Sequence, residues 1–278
     1  MKISYKIAFI FTLFATTTII SQEKLKGNGE VTTENRDISD FTKIEIIDDI
    51  EVFLVHNKKQ SVSIEADVNL QNNILTKVKD GVLTIRTDQV IGRSKALKVH
   101  LDIDKNITEI STYNKVNVTS KNLIIIDSIS FNAYDSSVIK LKLNTKSIAI
   151  NGKSGSNLDL EILTNNATIE TSGSNTTTAV INAQNVALKL ADKSTVNFSG
   201  TTDNLDLSAF SSTTFKGKSL ATKSATVKAY NSAEILVNVS ENLNIFSNNS
   251  SEITIYSNPK ITITEFFDKA ILRKKELN

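Results

Sequence analysis

Ile150-Asn-Gly-Lys-Ser-Gly-Ser-Asn-Leu158 is followed at a distance of nineteen residues by Ile169-Glu-Thr-Ser-Gly-Ser-Asn-Thr-Thr177, and nineteen later by Leu188-Lys-Leu-Ala-Asp-Lys-Ser-Thr-Val196. The shared phrase is apolar, variable, small, variable, turn residue, turn residue, small or polar, variable, apolar. Read outward in both directions it recurs nine times, opening at Ile110, Phe131, Ile150, Ile169, Leu188, Leu207, Val227, Ile245 and Ile263. The spacings are 21, 19, 19, 19, 19, 20, 18 and 18 residues. A period near 19 is too short for helical-pair repeats and fits the coil of a β-solenoid.

The phrase also gives the shape of each coil. Its ninth position is apolar at Val118, Ile139, Leu158, Val196, Phe215, Ile235, Ile253 and Ile271, with Thr177 the exception. Its fifth is Asn114, Asp135, Ser154, Gly173, Asp192, Ser211, Asn231 and Asn249, then Phe267. Asn, Asp, Ser and Gly tolerate left-handed backbone or bond to their own main chain, so each copy is strand, bend, strand. A second polar corner, such as Thr164–Asn166 or Asn182–Asn185, leads to the next copy. One coil cannot bury its own apolar residues, but stacked coils can, at about 4.8 Å per step. Parallel crossovers are right-handed by rule. The expected fold is therefore all-β: a right-handed parallel β-helix, a solenoid of ~19-residue coils, with an N-terminal β-rich cap. In this register Lys140 and Lys142 lie beside Asp159 and Glu161 of the next coil, while Glu234 and Glu252 meet as like charges.

Composition narrows the function. Lys+Arg number 32 against 30 Asp+Glu. Met1–Ser21 carries Lys2 and Lys6, then an apolar run, then a polar boundary, which is the layout of a secretory signal peptide. Removing those two lysines from the 32 leaves 30 against 30, with no basic excess for nucleic acid or an anionic membrane surface. Cysteine is absent, so disulfides and thiolate chemistry are excluded. No segment beyond the leader has the length of a membrane-spanning helix.

Residues 22–105 read as an N-terminal β-rich part of the same body and residues 106–278 as the repeat region. Ile44, Ile46, Ile50, Val52 and Leu54 alternate with polar residues, as do Val62 and Ile64 and then Leu97, Val99, Leu101 and Ile103. Asp80-Gly81 marks a hairpin turn. Asp67–Leu75 has the pattern of one or two helical turns, with Asp67 as N-cap and Val68, Ile74 and Leu75 toward the core.

These N-terminal blocks carry a resemblance. Arg36-Asp-Ile-Ser-Asp-Phe-Thr-Lys-Ile-Glu-Ile46, Ile50-Glu-Val-Phe-Leu54, Ser63-Ile-Glu-Ala-Asp67 with Asn69-Leu70, and Thr76-Lys-Val-Lys-Asp-Gly-Val-Leu-Thr-Ile85 together resemble the putative auto-transporter adhesin head GIN domain family over roughly residues 27–263. The resemblance implies a secreted or envelope protein of Bacteroidetes type with a parallel β-helix fold. The family's bends are commonly Ser-Gly-Gly-Ser-Asp. Ser154-Gly-Ser-Asn157 and Ser172-Gly-Ser-Asn175 come nearest, whereas Asp135-Ser136, Ser211-Ser212 and Asp48-Asp49 depart from it.

No catalytic or metal-binding constellation stands out, and no cofactor is expected. His56 and His100 lack a second ligand at metal spacing in the sequence. Asp135 and Asp192 are three coils apart, too far to share a proton. Glu234 and Glu252 are adjacent but have no basic residue in their column. The candidate binding residues are the aromatics at the fourth position: Tyr113, Tyr134, Phe210, Tyr230 and Phe266. They could form a platform for sugar rings or a protein partner, or they could simply cover the bend. The expected function is a non-enzymatic, exported, adhesin-like module of the periplasm, cell surface or medium, contacting a glycan or a cell-surface protein. The alternatives are a carbohydrate-active β-helix enzyme and a purely structural periplasmic protein whose stack ends associate with other copies.

Overall fold

The computed structural model describes residues 24–277, and the leader expected over Met1–Ser21 lies outside them. The described chain is a β-solenoid. Ile110 pairs with Phe131, Phe131 with Ile150, Ile150 with Ile169, and so on through Leu188, Leu207, Val227, Ile245 and Ile263. All nine opening residues thus stand in one column of parallel strands. The ninth-position residues from Val118 to Ile253 form a second column across the core. A slip of one residue would have turned each apolar set to solvent, so burial fixes the register. The 20-residue and 18-residue spacings are absorbed by irregularities at Asn197/Ser199, Gly217/Ala221 and Thr222/Ser224. There Phe198 and Phe215 fill the interior edge to face, 5.8 Å apart.

The bends are the most regular feature. Fifth and sixth positions are left-handed in every copy, from Asn114-Lys115 to Asp268-Lys269. The sixth-position N–H donates to the fifth-position carbonyl of the next coil: Lys115 to Asp135 at 2.9 Å, Ser136 to Ser154 at 3.1 Å, Gly155 to Gly173 at 2.8 Å, and onward to Ser250 and Asp268. The seventh position, just inside the bend, is small and buried, as at Ser137, Ser156, Asn175, Ser194 and Ser251.

The opposite corner has its own device. Strand Asn157–Thr171 keeps alternating burial until Asn165 and Asn166, which both face out. Thr164 turns in and donates its hydroxyl to the Asn166 carbonyl at 3.2 Å, and Thr145 and Thr202 do the same to Ser147 and Asn204. Outside, Asn166, Asn185 and Asn204 form an amide ladder at 2.9 Å per step.

Apart from the small two-stranded pairing of Leu25–Lys26 with Ile91–Arg93, the N-terminal part belongs to the same sheets but not in chain order. Strand Lys43–Ile47 lies between Val82–Thr87 and Glu109–Tyr113, and Glu51–His56 between Leu97–Ile103 and Asn117–Ser120. The first coil in the chain is therefore second in space. The chain doubles back to build the end coil before continuing the stack. Strand Ser61–Asp67 pairs antiparallel with both Val31–Arg36 and Leu97–Ile103. The hairpin turns at Asp80-Gly81 with φ of 52° and 74°, the two positive values a type I′ turn needs. The helical turns form as a 3-10 helix over Val68–Asn73. Asp67 does not cap it, because its carboxylate is committed to the backbone of Gly29, Lys95 and Ala96. Leu70 faces the core in place of Val68, which is exposed.

The last coil corrects the register read from the repeat. Thr264 is an extra residue opposite the step from Ile245 to Phe246, so Ser247 pairs with Phe266. Asp268 is then the left-handed fifth-position residue, not Phe267, and Leu272, not Ile271, stands in the ninth-position column against Ile253.

Candidate binding face

The fourth position of each coil leads into the left-handed bend, and its side chain lies half-buried on the outside of the stack. Because coils pair in register, residues at this position in consecutive coils are brought ring to ring. Tyr113 and Tyr134 stack with centroids 5.0 Å apart and planes 11° apart. Phe210 and Tyr230 stack at 5.4 Å and 27°. Both spacings follow the coil step of about 4.8 Å. Phe266 does not join them. The extra Thr264 moves it to the third position, beside Ser247, on the side that faces inward in earlier coils. Between the two pairs, Lys153, Ser172 and Ala191 occupy the fourth position, so the aromatics form two separate stacks. Burial raises the hydroxyl pKa of Tyr113, with Tyr134 adding to it, and burial followed by the nearby Glu265 raises that of Tyr230. Both phenols therefore stay protonated as hydrogen-bond donors well above neutral pH.

The second position lines the same face. Beside Tyr113 and Tyr134 it holds Ser111, Asn132 and Asn151. Asn151 donates to Asn132 Oδ1 at 2.7 Å and Asn132 to Ser111 Oγ at 3.1 Å. Beside Phe210 and Tyr230 it holds Ser208, Lys228 and Phe246, with the Lys228 ammonium 5.8 Å from the Phe246 ring centre. The Asn132 and Asn151 amides thus stand beside the first pair, where Ser111 is buried and donates to Glu109 at 3.3 Å, and the Ser208 hydroxyl and Lys228 ammonium stand beside the second. Flat apolar faces edged by such donors suit sugars, whose rings present C–H faces and hydroxyl rims.

A second aromatic cluster was not legible in the repeat. His100 stacks on Phe53 at 5.4 Å and 25°, and Lys121 sits 3.7 Å from the centre of the same ring. Glu65 accepts from His100 Nε2 at 3.0 Å and from Lys98 at 3.1 Å. The bond from His100, then that from Lys98, hold the Glu65 carboxyl below its usual pKa. Glu65 is 35 residues upstream of His100, and only the antiparallel pairing of Ser61–Asp67 with Leu97–Ile103 brings them together. His100 therefore has a carboxylate partner in space that the sequence spacing did not show.

The acidic candidates Asp135 and Asp192 stay apart. Ser154 and Gly173 separate Asp135 from Asp192 in the bend column. Glu234 and Glu252 are adjacent in register, and Arg273 of the last coil reaches Glu252 at 2.7 Å, a basic partner from outside their column. Lys142 and Glu161 form their ion pair at 2.9 Å, and Lys140 pairs with Asp159 in the strand register. An open groove near Asp40, Lys58, Lys59 and Asp104 mixes charges, and Gln60 and Asn106 occupy the Asp104 carboxylate. Among the described residues no group of three His, Cys, Asp or Glu is placed to hold a metal ion, and no helix is long and apolar enough to cross a membrane.

The family model of the putative auto-transporter adhesin, head GIN domain, matches residues 40–179 and again 149–259. The chain belongs to this family. Its two overlapping matches agree with a stack whose coils repeat one design. Three crystal structures share the fold of this GIN-domain chain. One is a putative lipid binding protein from Parabacteroides distasonis ATCC 8503, at 18% identity and TM-score 0.66, covering 91% of this chain and 100% of that one. Another is a putative adhesin from Parabacteroides merdae ATCC 43184, at 18% and 0.66, covering 91% and 99%. The third is a putative adhesin from Parabacteroides distasonis ATCC 8503, at 19% and 0.64, covering 91% and 100%. At these identities the likeness is one of fold. A search of curated proteins finds no match.

Proposed function

We propose that this GIN-domain protein is an exported, non-enzymatic binding module that grips an extended glycan, free or carried on a cell-surface protein, along the face bearing Tyr113–Tyr134 and Phe210–Tyr230. The observation that carries the reading is the pair of stacked aromatic platforms in one column, each edged by hydrogen-bond donors. Four coil steps separate Tyr134 from Phe210, about 19 Å at the strand spacing. Two weak contacts at fixed separation favour a long ligand over a short one, because the second contact becomes intramolecular once the first is made. Export rests on the leader pattern of Met1–Ser21 and on the adhesin description of the family. The lack of catalysis rests on Asp135 and Asp192 standing three coils apart and on the engagement of Glu252 by Arg273 and of Asp104 by Gln60 and Asn106.

The test is a panel of purified polysaccharides incubated with the protein. Depletion of protein onto one or more polymers, with no release of reducing ends, is the expected result. Turnover that co-purifies with the folded protein and is unaffected by changing the aromatic pairs contradicts the reading.

A further inference from the structure

The two ends of the solenoid are built differently. At the N-terminal end the core is closed: Leu83 and Ile85 of the end coil are fully buried, with Ile74–Lys79 paired along the free edge of their strand and Ser61–Asp67 along that of Leu97–Ile103. At the other end the last coil leaves its core side open. Ile261 is 43% exposed, Ile263 51% and Phe266 39%, whereas the residues they pair with, Leu243, Ile245 and Ser247, are 1%, 0% and 0% exposed. Strand Lys260–Phe266 pairs with Glu234–Ser247 on one edge, and no described strand covers its other edge. Apolar residues beside unpaired backbone donors and acceptors are the combination that recruits another strand.

The sequence of this strand is complementary to itself. Counted without the bulged Thr264, the rungs run Lys260, Ile261, Thr262, Ile263, Glu265, with Ile261 and Ile263 inward and Lys260, Thr262 and Glu265 outward. Reversed and laid on itself about Thr262, the strand sets Lys260 opposite Glu265, Ile261 opposite Ile263, and Thr262 opposite Thr262. Among the described residues neither Lys260 nor Glu265 has an ion pair in its own chain. A two-fold axis along the sheet normal achieves this pairing and keeps inward faces inward, so the two cores become continuous. The companion strand Ile271–Lys274 brings Leu272 to the same end, and its Arg273 is neutralised by Glu252.

We propose that strand Lys260–Phe266 pairs antiparallel with the same strand of a second copy of this chain, joining two solenoids end to end. The dimer would carry four aromatic platforms on one rod, related by the two-fold axis.

Sedimentation of the chain expressed in full, over a wide concentration range, tests this. The unchanged protein is expected to show a reversible monomer–dimer equilibrium. Lys260→Glu or Glu265→Lys alone places like charges opposite each other twice and should weaken the dimer about tenfold. The double change Lys260→Glu with Glu265→Lys restores both pairs and should recover affinity to within about threefold. These side chains point to solvent, so each variant is expected to keep the circular dichroism of the parent. A protein that stays monomeric up to its solubility limit overturns the proposal. So does a dimer indifferent to single reversal, as contact through the apolar leader would give, or a double variant that stays weakened.

Discussion

The hydroxyl of Thr177 donates to Asn175 Oδ1 at 2.8 Å inside the solenoid, and both residues are buried. Asn175 in turn donates from Nδ2 to Ser156 Oγ and to the Ser156 carbonyl one coil earlier. This explains the single polar residue in the ninth-position column. Thr177→Val restores the apolar pattern of the repeat and keeps the shape, yet it leaves a buried amide oxygen without a donor. It is expected to destabilise by about 1–3 kcal/mol. Denaturant unfolding checks this, and a neutral or stabilising change would show that the polar cluster is not needed for the fold.

Gly200 is fixed by the coil beneath it. Its φ is 105°, and a Cβ placed there would lie 2.3 Å from the Ile181 carbonyl oxygen. Gly200→Ala is expected to cost at least about 1–3 kcal/mol from the backbone conformation alone, with the clash in addition. Thermal unfolding of that variant against a control such as Ser199→Ala isolates the effect.

The bends hold bulky residues in left-handed backbone, among them Lys115 at φ 71° and Lys193 at 66°. A non-glycine residue there costs roughly 1–2 kcal/mol, and glycine would lose about 0.5–1 kcal/mol of chain entropy in exchange. Lys193→Gly is therefore expected to stabilise slightly, by about 0.5 kcal/mol. Ser212→Val, which adds a β-branch at φ 50°, should destabilise by more than 1 kcal/mol on the same scale. Melting temperatures moving in the same direction for both would refute the account of the bends.

Asp67 locks the N-terminal strap. One oxygen accepts the Gly29 N–H at 2.5 Å, the other those of Lys95 at 2.8 Å and Ala96 at 3.1 Å. Burial pushes the carboxyl pKa up, and the backbone bonds together outweigh it, leaving the value below the usual one. The folded pKa is depressed, so this stabilisation is fully present above the unfolded value of about 3.9 and is lost as pH falls through the folded value. Asp67→Asn should destabilise by about 1.5–3 kcal/mol at neutral pH, and the difference from the parent should shrink in acid. Equal differences at pH 7 and pH 3 would contradict this.

Much of the fold was legible because apolar spacing and turn residues report the same coil twice. The nine openings from Ile110 to Ile263 all fall in one column, and Lys142 meets Glu161 as the register demands. What escaped was non-periodic. Thr264 is a single inserted residue in a stretch whose apolar pattern reads equally well one place over, so the repeat alone places Phe266 in the aromatic column and Ile271 in the core. Glu65 and His100 meet through antiparallel pairing across 35 residues, which no repeat encodes. The reversed order of the first two coils was invisible for the same reason: each strand pattern is correct locally, and only the crossing strand Ser61–Asp67 decides what stacks on what. In the aromatic column, the two stacked pairs follow directly from the repeat, and the displacement of Phe266 does not.

If the two aromatic platforms form one binding face, both must contribute to affinity for the same polymer. The most direct test is the affinity for the best polymer of the polysaccharide panel, measured for the parent, Tyr134→Ala, Tyr230→Ala and the double variant, with folding checked by circular dichroism. Each single change is expected to weaken binding about tenfold and the double change to remove most of it, as loss of two linked contacts of about 1–1.5 kcal/mol each requires. Folded variants that bind as tightly as the parent would contradict this and would leave the rings as covers for the bends.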